Sequence, residues 1–257
     1  MSRNASSLYR RSVPLDPAQH GLHRVSPLTD FSITRHLHAV FITATEFPQA
    51  GLDFPLLFVA TGQRGAGGSA QMSTVALLGL VEGENLQLEG ERWTGRYIPA
   101  AIRRYPFASA SSPGPSGLKI LVDDSWPGFS DSMGEPLFAA DGRPAAALRR
   151  AIEFVDRFEL EAERTRIFCE RVVALDVLKE MKAEATLPDG ETISVDGFHA
   201  IDEERLRALP DATVLELYRS GMLALLQMHL LSLANIRHLV TRLGVVRARR
   251  AAMPATP

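Results

Sequence analysis

The sequence predicts an α+β protein in which a β-rich N-terminal half, as an antiparallel sheet or a small barrel, packs on a helical C-terminal half containing a β-hairpin. Up to about residue 140, apolar residues come in short runs rich in branched and aromatic side chains, broken by Gly, Pro, Ser and Asp. Beyond that point they recur at steps of three and four, the spacing of one helix face. Within the helical half, Pro188-Asp189-Gly190 separates two short runs and signals a hairpin. These boundaries give an irregular arm over 1–30, a β-rich part over 31–140, a helical part over 141–245 with its hairpin at 181–196, and a mobile tail over 246–257.

In chain order, residues 35–43 (RHLHAVFIT) and 54–60 (FPLLFVA) read as strands, joined by a short helix or loop. The Gly-rich run 61–71 (TGQRGAGGSAQ) leads into a strand over 72–81, and the alternation of 85–89 predicts another half-buried strand. A Ser/Pro/Gly loop at 109–117, a strand at 118–122, a turn-rich loop at 126–136 and a turn at Asp141-Gly142 follow. Pro144 suits a first helical turn. After it, Leu148, Ala151, Ile152, Val155, Phe158, Ala162, Thr165, Cys169, Val172 and Val173 form one apolar stripe on a long helix. Asp202, followed by Glu203 and Glu204, is placed to cap the next helix, and Gly221 to break the one after. Residues 222–243 are apolar nearly all round, which predicts a buried central helix ending at Gly244.

Composition narrows the function classes. A net charge of −2 argues against a nucleic-acid partner, since such domains carry a strong basic excess. A single cysteine, Cys169, rules out an internal disulfide framework. The first residues are basic but lack an apolar run behind them, so no secretory signal is read and a cytoplasmic location is expected, with signal-independent export left open. The most apolar stretch, 222–233, is too short for a membrane span.

Residues 83–107 (GENLQLEGERWTGRYIPAAIRRYPF) concentrate Trp93, Tyr97, Tyr105 and Phe107 among Arg92, Arg96, Arg103 and Arg104. Two readings of this segment stand. Tyr and Trp bring apolar bodies with polar handles and Arg a planar donor fork, which suits a binding patch. Alternatively, Trp93, Tyr97 and Phe107 are core residues and the arginines are solvated or capping. Pro106 holds Tyr105 extended, so a helix here stops near Arg104.

The same segment resembles the signature region of the SapC family, bacterial proteins of similar length. The likeness extends through the Glu46-Phe47-Pro48 segment with FPLLFVA after it, GEPLF at 134–138, DGFHAIDEERLRAL at 196–209 and SLANIRHLV at 232–240. The family's name implies a surface-layer or envelope association; it brings no catalytic residues with it.

Other chemistry candidates are isolated. His36 and His38, alternating on a strand, share a face and could begin a metal site, although no third ligand follows by spacing. Asp123, Asp124, Asp131 and Glu135 make an acidic loop without EF-hand spacing. The glycines of 61–68 fit neither a P-loop nor a dinucleotide fingerprint, and no cofactor is expected. His229 and Ser232, on the apolar helix, are either a hydrogen-bonded core pair or a pocket floor that meets Arg103 or Tyr97. Without an acid placed by spacing or a G-x-S-x-G elbow, they do not read as a hydrolase site. Cys169 reads as a small core residue.

The resemblance and the aromatic-basic segment together favour a non-enzymatic accessory protein that binds a peptide or protein partner, with a homo-oligomer possible. Its candidate binding residues are Glu84, Asn85, Trp93, Tyr97, Arg103, Arg104, Tyr105, His229 and Ser232. One alternative is an enzyme of unknown reaction, its pocket lined by histidines and arginines between the halves. Another is a structural subunit of a surface layer.

Overall fold

The computed structural model describes residues 8–64, 68–111, 118–186, 190 and 192–252. The first half contains β1 (Ser12–Pro14), α1 (Pro17–His20), β2 (Arg24–Val25), β3 (Ala39–Phe41), α2 (Phe47–Ala50), β4 (Leu56–Arg64), β5 (Ala70–Leu77), β6 (Leu88–Glu89) and β7 (Arg92–Trp93). Then come α3 (Ala100–Arg103), β8 (Phe107–Ser111), β9 (Leu118–Asp123), β10 (Phe129–Ser130) and β11 (Glu135–Pro136). The second half contains α4 (Ala146–Ala174), β12 (Leu178–Thr186), β13 (Thr192–Ile201), α5 (Glu203–Arg207), α6 (Asp211–Arg219), α7 (Met222–Ser232) and α8 (Ile236–Ala252).

The mixed α+β class is as the sequence predicts, and among the described residues the sheets stay open rather than closing into a barrel. The largest sheet is antiparallel, in the order β12-β13-β4-β5-β3. The predicted hairpin is longer than 181–196 and pairs with β4 through Phe198 opposite Val59, so the two halves share one sheet. Its turn residues Pro188 and Asp189 lie outside the described residues, as do residues 65–67 of the Gly-rich run and 112–117 of the Ser/Pro/Gly loop.

Successive strand residues face opposite ways, so an unbroken apolar run needs cover on both sides. In β4, Leu56 and Phe58 join a core with Phe168, Cys169, Val172 and Leu226, whereas Leu57 joins a second core with Leu239 and Leu243. Helices α4 and α7 therefore cover one face and α8 the other. The chain changes face at the start of β4, where the Leu56 amide donates to Ser232 Oγ at 3.0 Å and Asn235 donates to the Gly51 carbonyl at 2.8 Å.

The 29 residues of α4 extend roughly 43 Å at 1.5 Å per residue, enough to join two cores. Its early residues Leu148 and Val155 pack on Phe107, Val122, Leu137 and Phe138, and its later ones on the large sheet. The predicted stripe is the inward face, with Ala147 and Phe168 added; Pro144 sits just before the cap residue Ala145. Asp202 caps α5 as expected, accepting from the Glu204 and Arg205 amides.

Several expectations are corrected. The segment predicted as an irregular arm contributes β1 to the sheet β1-β9-β8 and β2 to the sheet β10-β2-β11; residues 1–7 lie outside the described residues. What anchors it is Asp123, a residue whose role depends on contacts more than a hundred positions away. Strand β3 starts only at Ala39, because Ser32 to Leu37 close turns on themselves (Arg35 amide to Ser32 carbonyl at 3.0 Å, Leu37 amide to Thr34 carbonyl at 2.9 Å). Residues 85–87 are buried loop rather than alternating strand, and a Cβ at Gly79 would lie 1.9 Å from the Glu84 carbonyl oxygen, so the loop packs there only against glycine. The helix expected to be buried all round presents Leu231 at 76% exposure, and it runs through Gly244 to Ala252. Continuous through a 3-10 turn, Met222–Arg250 is long and apolar enough by length and composition to cross a membrane; here it lies along the sheet. Residues 253–257 lie outside the described residues.

Candidate functional site

The site grows from a local signal. Thr43 and Glu46 form a capping box: the Thr43 amide and hydroxyl donate to Glu46 Oε2 at 2.9 and 2.8 Å. The other oxygen, Oε1, accepts the Tyr97 hydroxyl at 2.8 Å and the Ala100 amide at 2.7 Å. A buried carboxylate is thus satisfied by donors from two distant segments. Asp53 makes a parallel clamp, taking the Tyr97 amide at 2.8 Å and Arg96 Nε at 2.8 Å. Burial, and then the charge of Glu46 and its hydrogen bond, push the Tyr97 hydroxyl up to about 12, so it stays protonated as a donor.

Arg103 leans over this pair. Its Nε donates to the Ile98 carbonyl at 2.9 Å, its Nη2 to the Tyr97 hydroxyl at 3.1 Å, and its guanidinium lies 5.3 Å from the Phe154 ring centre. Arg103, with Glu46 and Ala100, faces Phe154, Arg157, Phe158 and Glu161 of α4 across a cleft of about 180 Å³. Among the described residues no ion pair involves Arg103 or Arg157. Glu161 Oε1 is taken by Arg164 at 2.6 Å, and its Oε2 is buried without a partner. The cleft therefore offers guanidinium donors, one unpartnered carboxylate oxygen and the rings of Phe154 and Phe158, each flanked by an arginine.

Of the residues singled out from sequence, Tyr97 and Arg103 meet here, and the others are elsewhere. Trp93 is a core residue between Phe31 and Phe54, its Nε1 donating to the Tyr97 carbonyl at 2.9 Å. Tyr105 is buried and donates to Asp123 at 3.2 Å; burial and then that carboxylate raise its pKa. Of the candidates from Trp93 to Tyr105, Tyr97 and Arg103 belong to this site, because the Trp93 and Tyr105 rings fill the interior. Arg104 points away, over Phe158 at 4.2 Å and onto Glu159 at 2.9 Å. Glu84 pairs with Arg250 at 2.8 Å, and Asn85 is buried against Thr34.

His229 and Ser232 form no pocket floor with Arg103 or Tyr97. His229 Nε2 accepts the Ile201 amide at 3.1 Å, and Ser232 bonds Leu56 and its own helix, so the polar row stitches α7 to the sheet. His36 and His38 do not share a strand face, since both precede β3. Among the described residues no three His, Cys, Asp or Glu side chains gather as metal ligands. The acidic loop is dispersed into protein contacts: Asp123 holds backbone amides, Asp124 pairs with Arg11, Asp131 lies 3.4 Å from His23, and Glu135 pairs with Arg150 at 2.7 Å. Cys169 is a buried core residue whose thiol is pushed up to about 12 by burial and then by Glu170.

Sequence reasoning missed Glu46, Phe154 and Arg157 as site residues. The Thr43-x-x-Glu46 spacing was a legible cap signal. Phe154 and Arg157 left none, since they fall beside the apolar stripe of α4 on a flank that patterning assigns to solvent.

No curated protein and no solved structure matches the chain. A family model does, across nearly the whole fold: its match spans residues 15–239 and includes both segments that meet at Glu46. By that match the chain belongs to the SapC family.

Proposed function

We propose that this SapC-family chain is an accessory binding protein that captures a peptide segment of a protein partner in the cleft between Arg103 and Arg157. The observation that supports this is the unused chemistry of the cleft: two arginines without carboxylate partners and a buried Glu161 oxygen without a donor, set around Phe154 and Phe158. A peptide supplies all the complements at once, namely acceptors in its carbonyls or an acidic side chain, donors in its amides, and an apolar side chain for the rings. The size agrees: about 180 Å³ is below the roughly 300–1,000 Å³ of small-molecule sites and suits one anchoring side chain.

Panning a phage-displayed random peptide library against the full chain tests the reading. Wild-type protein is expected to enrich acidic, apolar-containing peptides, and Arg157→Glu to lose them without a change in melting temperature. No enrichment, or the same peptides from both proteins, would refute it.

A further inference from the structure

A second concavity lies on the opposite flank, between the Leu86–Gly90 segment and α8. It measures about 480 Å³, within the range of small-molecule sites, and Leu86, Leu88, Val245 and Val246 supply its aliphatic wall beside Glu89, Thr241, Arg242 and Arg249. Glu89 and Arg249 stand on its exposed rim, and Arg242 is its half-buried charge. This guanidinium donates only to neutral acceptors, Gln87 Oε1 at 2.9 Å and Thr94 Oγ1. The nearest acid on the lining, Glu89, is held by Arg92 at 2.8 Å and Arg249 at 3.7 Å, and among the described residues no ion pair includes Arg242. A partly desolvated cation whose direct hydrogen-bond partners are all neutral is an unusual thing to keep beside aliphatic walls. Burial lowers its pKa, with Glu89 and Asp53 offsetting this only in part.

We infer that this groove is a binding site for an amphipathic carboxylate, its acid group on Arg242 and its aliphatic chain along Leu86, Leu88, Val245 and Val246. Arg242 is suited to the role because the planar fork retains free N–H donors after bonding Gln87 and Thr94. The site is separate from the Arg103 cleft and does not depend on the peptide-binding reading.

Decanoate and decanol titrated calorimetrically into the full chain provide the test. Decanoate should bind saturably, one per chain, and decanol about tenfold or more weakly, since it lacks the charge that Arg242 recognises. Val245→Glu places a negative charge on an exposed wall position without touching the Arg242 contacts; it should weaken decanoate by a similar factor at unchanged melting temperature. Arg242→Gln should do the same, and if that variant loosens α8 the Val245→Glu comparison decides. Arg157→Glu should leave decanoate binding intact. Equal binding of alcohol and acid, wild-type affinity in Val245→Glu, or no saturable binding would overturn the assignment.

Discussion

The Tyr97 hydroxyl donates to Glu46 Oε1 at 2.8 Å across a sequence separation of 51 residues, and the Ala100 amide reaches the same oxygen at 2.7 Å. Glu46→Ala would leave the Thr43 and Ala100 amides and the Tyr97 hydroxyl without their acceptor. Leaving buried donors unpaired costs about 1–3 kcal/mol each before relaxation, so a loss of about 3 kcal/mol is expected. Tyr97→Phe removes one donor and leaves Oε1 with the Ala100 amide, at about 1 kcal/mol. Urea unfolding of the two variants measures the difference. Similar small losses in both would mean that Glu46 is not what joins the two segments.

Asp123 fixes the N-terminal segment. Its carboxylate accepts the Arg10 amide at 2.7 Å, the Arg11 amide at 3.1 Å and the Ser125 hydroxyl at 2.6 Å while fully buried. Burial alone would raise its pKa, yet the Ser125 hydroxyl and these amides outweigh it and hold the group below its ordinary 3.8. Its stabilisation is therefore present above pH 3.8 and lost as pH falls through the lower folded value. Asp123→Ala should cost about 2–3 kcal/mol and speed amide exchange at Arg10 and Arg11 ahead of the large sheet. Unchanged exchange at those amides would show that β1 is held by its pairing with β9 alone.

The orientation of α7 is open to a direct test by two leucines five residues apart. Leu226 is completely buried in the main core, whereas Leu231 is 76% exposed. Leu226→Ala should cost about 2–5 kcal/mol and Leu231→Ala under about 0.5 kcal/mol in thermal or urea unfolding. Equal losses would restore the all-round burial that the composition of this helix predicts, or place Leu231 against another copy of the chain.

That helix also shows where patterning stops being informative. The stripe from Leu148 to Val172 was legible because a helix between core and solvent alternates apolar and charged faces. In α7 nearly every residue is apolar, so its polar exceptions alone carry the phase: His229 and Ser232 mark the side that bonds the sheet, and exposed Gln227 the side that does not. The hairpin strands were legible from their turn, while their joining β4 across the halves is a long-range pairing with no local signature. At the site, Tyr97 and Arg103 stood out by composition, but so did Trp93 and Tyr105, which went to the interior. Local chemistry cannot separate an aromatic that anchors a surface from one that fills a core.

His229 supplies a pH dependence whose sign follows from burial. Desolvation lowers its pKa from 6.5 to about 4, against a smaller opposing contribution from the Leu56 backbone, so the folded protein keeps a neutral ring whose Nε2 accepts from Ile201. The unfolded chain protonates this histidine near 6.5 and the folded chain only near 4. Stability contributed by the neutral ring is complete above pH 6.5 and declines as pH falls toward 4, by roughly 3 kcal/mol over the interval. His229→Gln keeps an acceptor for the Ile201 amide but cannot titrate, so it should lower stability at neutral pH yet flatten the decline below it. Urea unfolding of both proteins across that interval isolates the residue, because the remaining histidines are common to both. Parallel pH profiles would mean that the ring reaches solvent and protonates without leaving the folded state.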